Sequence, residues 1–207
     1  MLFRSAFVGM QEVQALLARA TSQLPDLAAE VQRAVPMQRI AEVLRRLIQE
    51  EVSIRYLREI CESLLAWAPR EKDTVMLTEY VRADLGRFIV RRYCDSKGKL
   101  RAVMLDAGAE QVIREAIQQG PGGSFLALAM EASEALMAGA ERALSSTRTE
   151  ERPVVLASMD VRRYVKKFLG TRFQALAVLS IQELPAHVEV HSLGTLTLQH
   201  SPRRRIA

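Results

Sequence analysis

Residues 152–168 read RPVVLASMDVRRYVKKF. The first part, PVVLA, is an unbroken apolar run, which suits a strand covered on both faces. The second part carries Val161, Tyr164, Val165, Phe168 and Leu169 at helical spacing, so one side of a helix is apolar. Ser158 stands at the junction, where its hydroxyl can accept from the free amides of the first turn, and Asp160 suits the positive end of the helix. Arg162, Arg163, Lys166 and Lys167 occupy the other side. A helix lying on a sheet needs a polar outer face, so solvation accounts for this charge as readily as docking does.

Outward from this stretch, strands and helices alternate. LRAVMLD reads as a strand, AEQVIREAIQQ as a helix stopped by GPGG, and SFLALAM as a second strand. EASEALMAGAERALSS reads as a second helix and TRTEER as a polar loop. After PVVLA and its helix come LAVLSI, a fourth strand, and VEVHSLGTLTL, a fifth, with Gly194 marking a bulge or bend. Such alternation implies crossover connections and a mostly parallel sheet.

The first half has a different rhythm. MQEVQALLARA places Val13, Leu16 and Leu17 on one helical face, and DLAAEVQRAV follows Pro25. Pro36 opens a helix with Ile40, Val43, Leu44, Leu47 and Ile48 inward. Ser53 can cap the next, with Leu57, Ile60, Cys61, Leu64 and Leu65 inward, and Pro69 ends it. Asp73 or Thr74 can cap a long helix with Leu77, Val81, Leu85, Phe88 and Ile89 inward. CDSKGK, Cys94–Lys99, is polar and marks the boundary. The fold class is therefore α+β overall: a helical module over residues 1–95, then an α/β module with a mostly parallel sheet over residues 96–207.

The totals bound the class. The chain has 207 residues, 49% hydrophobic and 26% charged, with a net charge of +5 and only 5% aromatic. The basic surplus comes mostly from arginine, part of it in the tail SPRRRIA. Cys61 and Cys94 are too few for a disulfide framework and point to a reducing compartment. No apolar run reaches the roughly 18 residues of a membrane span, and the first residues lack the form of a secretory signal.

Catalytic patterns are missing. QQGPGGSF lacks the Gly-Lys-Ser/Thr ending of a phosphate loop and stands between a helix and a strand, the reverse of what that loop needs. His187 and His191 lie four apart on an extended segment, about 13 Å from each other, with no cysteine or carboxylate cluster beside them for zinc. His200 follows in the tail. No Gly-x-Ser-x-Gly elbow occurs. The chain reads as a non-enzyme with no cofactor and no metal.

Two helical stretches mix charge signs. SIRYLREICESL presents Arg55, Arg58, Glu59 and Glu62, and LTEYVRADLGRFIVRRY presents Glu79 and Arg82, then Arg87, Arg91 and Arg92. Intrahelical pairing explains them at a few tenths of a kcal/mol. A face that meets a copy of itself explains them too.

GMQEVQALL, LPDLAAEV, EEVSIRYLREICESLLAWA, LTEYVRADLGRFIVRRY, PVVLASMDVRRYVKKF and VLSIQELP resemble, in order and spacing, the C-terminal cytosolic domain of the type III secretion export-gate proteins, the FHIPEP family. The resemblance runs from Phe7 to Leu198, and VEVHSLGTLTL favours the injectisome branch over the flagellar one. It implies a longer parent protein with an N-terminal membrane region, of which this would be a C-terminal fragment or a product of initiation at Met1. It places that parent at the cytoplasmic face of the bacterial inner membrane. It implies a homo-oligomeric ring, a nonamer in the family, that receives secretion chaperones with cargo and gatekeeper proteins and works beside other export-apparatus and ATPase-complex proteins. Arg55, Arg58, Glu59, Glu79 and Arg82 are the candidate ring contacts. Arg162, Arg163, Lys166 and Lys167 are the candidate docking face for acidic partners. The main alternative is a nucleic-acid-binding module using the basic helix 159–169 and the tail. A nucleotide-dependent enzyme built on the α/β half is a second.

Overall fold

A computed structural model of the protein describes residues 10–121, 123–145 and 152–198, and the chain divides into two compact units, Met1–Ile89 and Val90–Ala207. The first is helical. Its elements are α1 (Met10–Gln23), α2 (Pro25–Ala34), α3 (Met37–Gln49), α4 (Leu57–Trp67), α5 (Thr74–Asp84) and the short α6 (Gly86–Val90), whose last residue crosses the division. Pro25 begins α2, where its missing N–H costs nothing. On α3, Ile40, Val43, Leu44 and Leu47 are buried, each contributing about 1.5–3 kcal/mol. The Arg39 guanidinium donates to the Glu71 carbonyl at 2.7 Å and so pins the α4–α5 connection. Asp73 caps α5, accepting from the Val75 amide at 2.8 Å.

Two expectations fail here. Ser53 does not cap α4. Its hydroxyl accepts from the Arg55 amide at 3.4 Å, and the helix starts only at Leu57, because a serine can satisfy the backbone two residues on instead of opening a helix. The long helix expected through Ile89 breaks at Leu85, ahead of Gly86, a residue of low helical propensity. Leu77, Val81, Leu85 and Ile89 are nonetheless buried. Phe88 stacks on Tyr56 with ring centroids 3.7 Å apart.

The second unit holds a four-stranded parallel sheet, order β5-β4-β1-β6: β1 (Lys99–Leu105), β4 (Val154–Ala157), β5 (Ala177–Ser180) and β6 (Glu189–Leu196). Its helices are α7 (Ala107–Glu115), α8 (Met130–Leu144) and α9 (Met159–Leu169). One core joins them to the sheet: Val103, Val155, Val178 and Leu196 from the strands meet Ile113, Leu136, Val161 and Leu169 from the helices. β4 and β5 are buried at every residue, as unbroken apolar runs should be. In β6 the register against β1 slips between Ser192 and Gly194, and Gly194 takes φ +146°, so the expected bulge is present.

The segment after α7 departs from expectation. The helix ends at Glu115, and β2 (Ile117–Gly120) and β3 (Gly123–Leu126) form a separate antiparallel hairpin. Gly120 and Gly123 thus pair across the hairpin, and Gly120 does not stop a helix. Gly123, the partner of Gly120 across the turn, takes φ +100°, a backbone that glycine adopts without strain. SFLALAM contributes to this hairpin and adds no strand to the main sheet. Most of the loop TRTEER lies outside the described residues.

A buried ion pair closes the unit. Ser180 ends β5 and begins a 3-10 turn, Ile181–Glu183, in a reciprocal capping arrangement with Glu183. The Glu183 carboxylate, 1% exposed, lies 3.9 Å from Nε of Arg162, which is fully buried. Arg162 Nη1 also donates to the Val178 carbonyl at 3.2 Å.

Removing one member of such a pair strands the other charge. Glu183→Ala or Arg162→Ala should each lower stability by about 3–5 kcal/mol in urea unfolding. The double variant Arg162→Met with Glu183→Leu should lose clearly less than the two single losses added; a fully additive result would show that the two side chains do not interact. At the bulge, an added Cβ on Gly194 would find Ala143 only at ordinary contact distance, 3.8 Å. The cost of Gly194→Ala is then backbone strain, about 1–3 kcal/mol, read as a lower denaturation midpoint.

Candidate interaction surfaces

The side chains singled out in the sequence do not form the two surfaces expected of them. Among the proposed ring residues, Arg55 and Arg58 are exposed and Glu59 is half-buried. Arg58 faces Glu62 one turn on at 3.6 Å, and Glu59 accepts from Arg87 at 3.2 Å. Glu79 and Arg82 are interior, each 3% exposed. Arg82 reaches Glu50 at 3.0 Å and ties α5 to the end of α3. The expectation of a mixed-charge outer face on α5 is corrected accordingly: α5 is buried at Leu77, Thr78, Glu79, Val81 and Arg82, more than one side of the helix.

The basic face of α9 is corrected as well. Arg162 lies inside, on Glu183 and the Val178 carbonyl. Arg163 donates to Ser124 Oγ of β3 and to the Tyr164 hydroxyl, with its guanidinium 4.1 Å from the centre of the Tyr164 ring. Tyr164 in turn donates to Ser124 at 2.8 Å. Lys166 donates to the Leu176 carbonyl at 2.7 Å, in the loop that leads into β5. Lys167 is the one member of the set that is exposed. Three of the four cations therefore hold α9 in place, and the helix offers no basic stripe to a nucleic acid. The arginines of the tail lie outside the described residues.

The start of α9 also differs in detail. Ser158 makes no side-chain cap; its hydroxyl and its amide both donate to the Glu110 carboxylate of α7. Asp160 pairs with Arg114 at 2.6 Å, which raises the Arg114 pKa, the hydrogen bond to Asp160 being the largest cause. The start of α9 is thus tied to both ends of α7, through Ser158 to Glu110 in its first turn and through Asp160 to Arg114 in its last.

Other candidates are quickly placed. His187 and His191 are exposed, and among the described residues no group of three or more His, Cys, Asp or Glu could hold a metal ion. Cys61 is buried, and burial followed by the nearby Glu62 raises its pKa. Among the described residues no helix is long and apolar enough to cross a membrane.

Sequence reasoning passed over one feature. Beside the turn Asp95–Lys99 lies a cavity of about 170 Å³ lined by Arg92, Lys99, Arg101 and Arg152 together with Tyr93, Cys94 and Asp95. The Asp95 carboxylate accepts from the amides of Lys97 and Lys99 at 2.8 and 2.9 Å, and the Lys99 bond is the main cause that holds its pKa below the ordinary value. Lys99 bonds Glu189 at 2.7 Å, which raises the lysine pKa. The available signal was the alternation Lys99, Arg101 on one strand face, hidden by reading CDSKGK only as a boundary.

The FHIPEP family pattern matches residues 3–189. Over 202 residues the chain is 47% identical to the hypersensitivity response secretion protein HrcV of Ralstonia nicotianae, covering 95% of this chain and 29% of that protein. Its fold matches Chlamydia pneumoniae CdsV, solved in complex with CdsO, with a TM-score of 0.85 at 38% identity, over 93% of this chain and 57% of that one. It matches the nonameric SctV-C of EPEC, solved by cryo-EM, with a TM-score of 0.84 at 36% identity, over 92% and 58%. The chain spans less than a third of the length of the curated relatives it matches. Pattern, identity and fold agree over nearly the whole chain, which belongs to the FHIPEP family, among the type III secretion export-gate proteins of the injectisome type.

Proposed function

We propose that this chain is a non-enzymatic part of a type III secretion export gate at the cytoplasmic face of the inner membrane. It builds a homo-oligomeric ring and receives chaperone–cargo complexes and gatekeeper proteins. The observation that carries this reading is the likeness, over 92% of the chain, to a cytosolic domain solved as a nonamer. A relative solved with CdsO supports a further role in binding a protein of that kind.

On the helical unit the ring contacts are assigned to Arg55, Arg58 and Glu59. The pairs Arg58–Glu62 and Arg87–Glu59 lie at the surface, where such bridges are worth about 0–1 kcal/mol. They can exchange partners for charges on a neighbouring copy at little cost. Glu79 and Arg82 are left out of the contact set because they serve the interior. On the second unit, Lys167 is the residue of the basic set that remains able to meet an acidic partner.

Light scattering across a concentration series up to the millimolar range tests the ring. Mass should rise with concentration, and Arg55→Glu combined with Arg58→Glu should weaken the association by about ten-fold or more, the scale of misplaced like charges at an interface. An unchanged mass curve in that variant would remove these residues from the interface. A monomer at every concentration would count against ring formation by this chain.

A further inference from the structure

The outward side of α5 inverts the usual pattern of a surface helix. Its charged residues Glu79 and Arg82 are buried, each 3% exposed. The positions that reach the surface on successive turns are Met76, Tyr80 and Ala83, all half-buried and none charged. They stand at i, i+4 and i+7 and so form one strip of the helix. On α4, Trp67 stacks on Tyr80 with ring centroids 4.4 Å apart, and the neighbouring Ala66 is exposed.

Polar groups beside this strip already have partners. The Trp67 indole Nε1 donates to the Asp84 carboxylate at 3.0 Å, and the Ser63 hydroxyl donates to it at 2.5 Å. Arg87 bonds Glu59 at 3.2 Å, and Arg58 faces Glu62 at 3.6 Å. A stacked and hydrogen-bonded indole can be covered without leaving its donor unpaired, and it loses little freedom in the process. An apolar centre with aromatic anchors inside a rim of paired charges is the anatomy of a protein–protein contact.

The place of the strip says what covers it. The ring reading, on which this inference rests, puts Arg58 and Glu59 between copies of the chain. Trp67 ends the helix that carries both, about 13 Å along the axis from Arg58. A specific contact covers about 800 Å² on each partner, a patch roughly 30 Å across. A copy seated on Arg58 and Glu59 therefore extends over Trp67 and the strip. Paired charges at a surface hold little by themselves, and the strip supplies the apolar centre that they lack. A ring closes head to tail, so the strip meets an unlike face of the next copy.

We propose that Met76, Tyr80 and Ala83 of α5, with Trp67 of α4, form the apolar centre of the contact between copies of this chain, and that Arg58 and Glu59 stand at its rim.

Trp67 is the only tryptophan of the chain and reports on the strip directly. The test records its front-face fluorescence and its quenching by acrylamide over the same concentration series as light scattering. As mass rises, the emission should move to the blue and the quenching should fall, both along the mass curve. Ala83→Glu sets a carboxylate in the strip one turn before Arg87, a pairing that helices favour. It should keep the urea midpoint of the parent and weaken association about ten-fold or more. Lys97→Gln, in the second unit, should associate as the parent does. A mass that rises while Trp67 stays equally open to acrylamide would overturn the site and leave the ring standing. So would an Ala83→Glu chain that keeps both the urea midpoint and the association of the parent. Quenching already weak in the monomer at the lowest concentration would overturn it too, since the strip would then be covered within one chain. A monomer at every concentration would overturn the ring and this contact together. The tryptophan readings come from the unaltered chain and hold whether or not the variant folds.

Discussion

Arg162 carries a full charge with no access to solvent, and the second unit is organised around that constraint. A guanidinium taken out of water costs several kcal/mol unless its surroundings answer it. The answer comes from two directions, the Val178 carbonyl within β5 and the Glu183 carboxylate just past its end. With Arg162 so held, α9 has one rotational setting about its axis. That setting turns Val161, Val165 and Leu169 to the core and brings Arg163 and Lys166 onto the hairpin and the β5 approach. The most basic helix among the described residues is therefore held in the fold by three of its own cations.

The same point explains what could and could not be read in advance. Helices such as α3, with apolar residues at every expected position, show themselves through period alone. So do β4 and β5, as runs that nothing polar interrupts. Period says nothing of a charge that points inward, because the binary pattern assigns charges to solvent. The partner of Arg162 stands 21 residues further on and the partner of Arg82 stands 32 residues back, beyond the reach of any local rule. The hairpin was missed for a related reason. Helical spacing persists through Ile117, but the pairing of Ile117–Gly120 with Gly123–Leu126, residues beyond the turn, takes the segment into a hairpin.

This recasts what the resemblance to export-gate proteins rests on. EYVR carries the buried Glu79 and Arg82, and VLSIQELP carries Ser180 and Glu183, the capping pair under Arg162. In this chain both blocks hold charged groups in the interior. These blocks therefore speak for the architecture of this chain. The groups left at the surface, Arg55, Arg58 and Lys167, sit in other blocks of the resemblance, EEVSIRYLREICESLLAWA and PVVLASMDVRRYVKKF.

The bulge in β6 has a consequence for solubility. Among the described residues β6 is an edge strand of eight residues, and an edge presents backbone groups to which another chain could add, strand upon strand. The slip at Gly194 interrupts that row partway along, and the charge of Glu189 stands at its start. A foreign strand that matches the spacing before the slip is out of step after it. The kink thus works as a guard against fibre growth, at a place where a straight strand would have invited it.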